Sequence, residues 1–321
     1  MKKLNHLNRA LLIPLLVLTL LISPGWSGDE AKTPSPSLAK SEVVTTQEAG
    51  APEVGDKQNL QEIGKQLNNP VSSIWNITTQ SNMYFEKGNL SSAYRGQFVF
   101  NFQPVLPIPL TKDWNLIPRP VIPFLSNPYI RGVDTVNHTL DWSRTAGMGD
   151  MAFVTFLSPN LPRWILGVGP SFIFPTASTY NLGQGKFQMG PAAVAGFLTK
   201  DWVGLIFVQN WWSVAGTHQT PVTNQMNFQY VLVRMLPGAW QIQMTPNVLV
   251  NWRATGGNSL TFPIGIGVGK TFRIHPGLPP ISTALEFQWM AAHPDDFGQR
   301  FNIRFTFKPV LPNLVKKPIL E

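Results

Sequence analysis

Residues 163–198 alternate in chemistry for longer than a soluble sheet requires. Trp164, Leu166, Val168, Phe172 and Phe174 share one face, opposed by Gly167, Gly169 and Ser171, with Ile165 and Ile173 as apolar exceptions. After a polar stretch at 177–186, Phe187, Met189, Ala193, Ala195 and Phe197 oppose Gln188, Gly190, Ala192 and Gly196. Side chains alternate across a strand, so each run has one greasy wall and one small or polar wall. Strands of soluble domains are usually about five or six residues long, whereas a tilted strand needs about nine to eleven to cross a bilayer. The pattern predicts one hairpin of a transmembrane β-barrel.

The same pattern fills the rest of the chain. From residue 71 onward about twelve strand-like runs follow one another, centred near Ile77, Phe100, Pro120, Val154, Val168, Ala193, Leu205, Gln229, Pro246, Ile264, Leu285 and Ile303. In the ninth, Trp240, Ile242, Met244, Val248, Val250 and Trp252 oppose Gln241, Gln243, Thr245, Asn247 and Asn251. In the last, Phe301, Ile303, Phe305 and Phe307 oppose Arg300, Asn302, Arg304 and Thr306. Charged residues make up 13% of the chain, against about 25% in soluble proteins. No apolar run approaches the roughly 18 residues of a spanning helix.

The connections alternate as well. Long ones at 126–148, 177–186 and 213–223 take turns with short ones at 158–163, 199–201 and 236–239. Outer-membrane barrels have short periplasmic turns, longer outer loops and, with an even strand count, both termini in the periplasm. Trp114, Trp164, Trp202 and Trp240 each open a run after a short turn, where a periplasmic aromatic girdle belongs, and Trp211, Trp252 and Trp289 fit an outer girdle. Arg234 and Lys270 fall on apolar faces near the periplasmic ends, within snorkelling reach of water. Pro104, Pro118, Pro120, Pro170, Pro191, Pro246 and Pro263 sit inside runs and predict bulges, because proline cannot donate to a ladder. A soluble β-sandwich is the rival fold, but it gives no reason for long runs with tryptophan at their ends.

GVGPSFIFPTAS followed by LGQGKFQMGPAAV, together with QNLQEIGKQLNNPVSS, FQPVLPI, DWNLIPRPVIPF and GMGDMAFVTFLSP, resembles a family of bacterial outer-membrane transporters. That family is grouped with the meta-pathway of phenol degradation barrels and is often mislabelled neuromedin U. The likeness runs over 58–307. It implies an outer-membrane barrel with a transport role and supplies no substrate. The tail after Phe307 departs from the family's usual ending on a closing aromatic.

The N-terminal end reads as targeting. Lys2, Lys3 and Arg9 precede a mostly apolar run of 13 residues at 10–22 and then small residues, so 1–27 is expected to be a secretory signal peptide. The chain has no cysteine, hence no lipoprotein anchor or disulfide framework. Residues 28–69 are rich in Pro, Ser, Ala and Glu and predict a disordered periplasmic lead. Within it Leu60, Ile63, Gly64 and Leu67 share a helical face, so a short helix at 58–67 is expected to dock near the barrel mouth, as a plain spacer or as a plug. The barrel is assigned to 70–310 and a tail to 311–321.

Of the net charge of +8, the leader contributes +3 and the lead −3, leaving +8 for 70–321. No Lys/Arg run or motif makes this a nucleic-acid surface. If the apolar phase faces lipid, the lumen candidates are Arg95, Gln97, Arg119, Gln241, Gln243, Asn247, Arg253, Glu286, Gln288, Arg300, Asn302 and Arg304. Five arginines against one glutamate would favour anions, or else form a network that keeps the barrel shut.

Catalysis has little to rest on. His138, His218, His275 and His293 follow the leader, and the local pairings are His218 with Ser213 and His293 with Asp295. Neither makes a nucleophile–base motif, no metal spacing exists, and Asp295-Asp296 alone is a weak cation site. Gly265, Gly267 and Gly269 alternate within a run, making room at the lumen wall rather than a phosphate loop.

The expectation is an all-β, antiparallel up-and-down transmembrane barrel of the bacterial outer membrane, without cofactor or enzymatic activity. It would pass a small anionic or aromatic solute, with outer-membrane lipids and the barrel-assembly machinery as partners. A barrel-embedded lipid hydrolase and a barrel without a pore are the alternatives.

Overall fold

The computed structural model describes residues 54–134, 139–218, 220–315 and 317–320. The expected signal peptide and most of the lead lie outside the described residues. The rest belongs to the compact unit 57–321, apart from the opening residues of a helix, α1 (Val54–Leu67), which is longer than expected.

Alternating apolar runs become fifteen strand segments in one sheet that closes on itself as a twelve-strand antiparallel barrel. The strands are β1 (Asn76–Gly88), β2 (Ser91–Val105), β3 (Trp114–Asp134), β4 (Thr139–Met148 and Met151–Pro159), β5 (Trp164–Phe174) and β6 (Lys186–Leu198). They continue as β7 (Trp202–Gly216), β8 (Asn224–Leu236), β9 (Trp240–Met244 and Asn247–Asn251), β10 (Leu260–Phe272), β11 (Ile281–Ala292) and β12 (Gly298–Pro309). A two-residue segment, Ile108–Pro109, pairs with β3. Each strand pairs with its successor, and β1 pairs with β12 from Thr79↔Phe307 to Lys87↔Gly298 to close the ring. Closure removes the edges that an open sheet would expose.

Burial is inverted relative to a soluble protein. Val168, Leu285 and Ile266 are 62%, 57% and 64% exposed, while Gln241, Gln288 and Asn302 are 1%, 1% and 0% exposed. The outward apolar phase is a lipid belt. Trp114, Trp164 and Trp240 are exposed at the short-turn end. There Arg234 lies over the Trp202 ring (5.4 Å) and Lys270 over Trp240 (4.7 Å), each across a ladder pair. The cations thus sit on the girdle aromatics instead of in the hydrocarbon.

Four expectations are corrected. The first run is centred near Asn82, not Ile77, because β1 extends to Gly88 and its outer connection is only Asn89-Leu90. Residues 126–148 are not an open loop: β3 and β4 continue as a paired hairpin from Phe124↔Met148 to Asp134↔Thr139. Trp211 points inward and is buried, bonding Ser171 Oγ at 2.8 Å, and its neighbour Trp212 is the exposed aromatic. Bulging follows only some prolines. Pro263 marks a register shift and Pro246 splits β9, whereas Pro104 and Pro118 sit in continuous ladders.

Candidate functional site

The lumen has a polar wall and an apolar wall. The polar one is built around the break in β9. Pro246 has no N–H to give, and the β8–β9 ladder stops at Leu232↔Met244 and restarts at Gln229↔Asn247. The backbone of Thr245 is thereby freed for other partners. Its N–H donates to Glu286 Oε1 (3.1 Å), and its carbonyl accepts from Arg304 Nη1 (2.8 Å) and Gln229 Nε2 (3.1 Å). Glu286 also accepts from Thr245 Oγ1 (2.6 Å), Gln243 Nε2 (3.1 Å) and Gln288 Nε2 (2.8 Å). Arg304 Nε and Asn302 Nδ2 both donate to Asn82 Oδ1, at 2.8 and 3.1 Å. A buried carboxylate and a buried guanidinium thus share one threonine as a bridge, and each is extensively hydrogen-bonded, as burial of charge demands. Tyr230 reaches across the same gap, its hydroxyl donating to Pro263 O at 2.7 Å.

The glycines of β10 make this knot possible. A Cβ on Gly265 would sit 2.8 Å from Glu286 Oε1, and one on Gly267 would sit 2.6 Å from the Leu285 carbonyl. The polar side chains of β11 occupy the volume that β10 leaves vacant.

The apolar wall comes from β3 to β8. Ile117, Phe156, Ile165, Val203, Leu205, Phe207 and Val233 form a buried cluster inside the barrel. Ile165, the exception to the sequence alternation, is one of its members. Val71 joins the same cluster from the segment before β1. The last turn of α1 and residues 68–72 enter the short-turn end of the lumen as a plug. Gly64 lets the helix approach the wall: a Cβ there would lie 2.6 Å from Thr271 Oγ1 and 3.1 Å from Met235 Cε. Asn68 Nδ2 donates to Gln241 Oε1 (2.9 Å), and Lys308 Nζ donates to Leu67 O and Asn68 Oδ1, both at 3.1 Å.

Above the plug lies a cavity of about 220 Å³ bounded by both walls, with Asn68, Gln243 and Thr306 on one side and Val154, Leu205 and Phe207 on the other. Trp211 and Asn227 line it and also line a second cavity toward Asn258 and Pro294 at the outer end. Arg119 lines the first cavity. Its Nε and Nη1 are buried without a hydrogen-bond partner, and its guanidinium stands 6.0 Å from the Phe207 ring.

The sequence candidates are distributed unevenly. Gln241, Gln243, Glu286, Gln288, Asn302 and Arg304 come together in the buried knot. Arg119, Gln243 and Asn247 line the cavity. Arg95 stacks on Trp142 (4.1 Å) and Gln97 bonds Asn127 (3.0 Å) toward the outer hairpin. Arg300 contacts the His293 ring and donates to Lys87 O (3.1 Å) at the outer rim. Arg253 is exposed in the turn after β9 and does not line the cavity. The five arginines are therefore not one ring. Asn68, Lys308 and Asn82 were missed, because their roles depend on which strands and which plug residue they face.

The histidine pairings do not form. His218 is exposed, and Ser213 Oγ instead accepts from Thr223 N at 2.9 Å. Burial and the adjacent Arg300 hold the His293 imidazole below its usual pKa, the reverse of a base readied by an acid. His138 lies outside the described residues. Among the described residues, no three His, Cys, Asp or Glu side chains cluster as metal ligands.

A closed antiparallel barrel of twelve strands, apolar outside and with a polar wall within, is the outer-membrane β-barrel class. In structure the chain is similar to the COG4313 outer membrane channel from Pseudomonas putida F1, with a TM-score of 0.56 and 13% identity over 76% of this chain and 98% of that one. The NanC porin is more distant, with a TM-score of 0.43 and 10% identity over 73% of this chain and 100% of that one. No protein-family model matches the chain, and no curated protein sequence matches it.

Proposed function

We propose that the protein is a passive channel of the bacterial outer membrane for small solutes, narrowed at its periplasmic end by its own N-terminal segment. The observation that carries this reading is a solute-sized cavity bounded by strands whose outer faces are apolar. An eight-stranded barrel is filled by its side chains, and twelve strands leave more room. The outer-membrane channel of similar fold and the family resemblance of 58–307 support the same reading. Among cavity-lining residues the charged ones are Arg119 and Lys308, without a carboxylate, which favours anions over cations.

The test is conduction. Purified protein in planar bilayers or liposomes should pass small ions and solutes slowly, with anions preferred. Silence in both, for the intact chain and for a variant lacking 57–72, would leave a barrel without a pore as the better account. A lipid hydrolase would instead turn over phospholipid and lose that activity on replacing His218 or His293. The exposure of His218 and the Arg300 contact of His293 argue against it.

A further inference from the structure

The cavity holds an unanswered charge. Arg119 is carried on the inward phase of β3 beside buried Ile117, and its Nε and Nη1 are shut from water with nothing to donate to. An unpaired buried cation is costly, and each orphaned N–H adds a desolvation penalty. The nearby carboxylate cannot relieve it: Glu286 already accepts from Thr245, Gln243 and Gln288. Lys308 is held by Leu67 O and Asn68 Oδ1, and Arg304 by Asn82 and Thr245. Of the two charged residues that line the cavity, Arg119 is the one whose donors find no acceptor. Beside it stand its ladder partner Val154 and the Phe207 ring, and with Leu205 and Val231 they give the cavity an apolar stretch of wall that offers a solute dispersion contacts but no hydrogen bonds.

We propose that this cavity is a binding site for a small monocarboxylate with an apolar body, its carboxylate taken by the Arg119 guanidinium and its body lodged against Leu205 and Phe207. The assignment rests on the channel reading above and names the solute class for it. A guanidinium fork fits a carboxylate in two-point geometry, and a dry site strengthens the pair. A fully hydrated inorganic anion would gain from Arg119 but would waste the apolar wall. A neutral hydrocarbon would fill that wall and leave the guanidinium unpaired. A site with both features discriminates against each by leaving one of its own surfaces unused.

The probes are benzoate, its uncharged relative benzyl alcohol, and acetate, each titrated calorimetrically into the purified protein in detergent. Benzoate should bind saturably and at least tenfold more tightly than either of the other two. Arg119→Gln should erase the preference for benzoate over benzyl alcohol, and Arg119→Lys should keep part of it. Arg300→Gln, at the outer rim, should leave benzoate binding unchanged. Equal binding of benzoate and benzyl alcohol by the unaltered protein would overturn the site, and that comparison needs no variant to fold. Unchanged benzoate affinity in a heat-modifiable Arg119→Gln barrel would overturn the role of Arg119. The channel reading fails separately: benzoate binding without conductance or uptake would keep the site and remove transport, and conduction without carboxylate preference would do the opposite.

Discussion

Thr245 shows how one residue can carry a polar interior. Freed by the proline after it, its backbone serves Glu286 from one side and Arg304 from the other. Removing the acid by Glu286→Ala would strand the Gln243, Gln288 and Thr245 donors and leave Arg304 without a nearby countercharge. The expected cost is about 3–5 kcal/mol, read from urea unfolding in detergent or liposomes. The lipid face obeys the opposite rule. Ile242→Arg should impair assembly by about 2–4 kcal/mol if the site lies near mid-bilayer, whereas Asn247→Arg, opening on the cavity, should be tolerated. Band shift on unheated gels measures both, and equal damage would refute the phase. Gln243 shares the inward phase with Asn247 but sits inside the knot, so it is no solvent position. The phase of these residues was legible from alternation alone. Their partners were not, since Asn82, Glu286 and Arg304 meet only once strands far apart in sequence are placed side by side.

At the scale of elements, the plug is the part most open to experiment. Gly64→Leu would push α1 off Thr271 and Met235, and deletion of 57–72 would also remove the Asn68–Gln241 bond and the acceptors of Lys308. Both changes should raise single-channel conductance severalfold, with the deletion larger. Unchanged conductance would mean that the plug does not set the narrowing. The amphipathic face of this helix and a place near the barrel mouth were readable in Leu60, Ile63, Gly64 and Leu67, but the wall residues its last turn meets were not, because docking is set by the strands around it. The hairpin of β3 and β4 escaped for a different reason. Beyond Phe124 its residues pair across a bulge at Arg131 without an apolar face, carrying Asn127, Arg131, Asp141 and Arg144, so period-two hydrophobicity has nothing to mark. Arg131 and Asp141 instead meet as an exposed ion pair at 2.7 Å.

Across the whole molecule, the barrel's number of strands, its lipid belt and the aromatics at its short-turn end all follow from alternating runs repeated about twelve times and from the short turns between them. Trp211 is the instructive failure: it and Trp212 are adjacent, so one must face in and one out, and position near a strand end does not say which. In extracted envelopes the protein should fractionate with the outer membrane and migrate differently before and after heating; recovery as a soluble monomer would refute the membrane reading.

Lys308, on the final strand, grips Leu67 and Asn68, the residues that lead into the first strand. The two ends of the barrel sequence are thus fastened twice, once by the β1–β12 ladder and once through the plug. Neither fastening can be completed during synthesis until the last strand exists. Because the segment enters by the open short-turn mouth, the ring need not close around it. A barrel whose leading segment stayed outside would hold that cation ungripped, so the lysine distinguishes the occupied barrel from its empty counterpart.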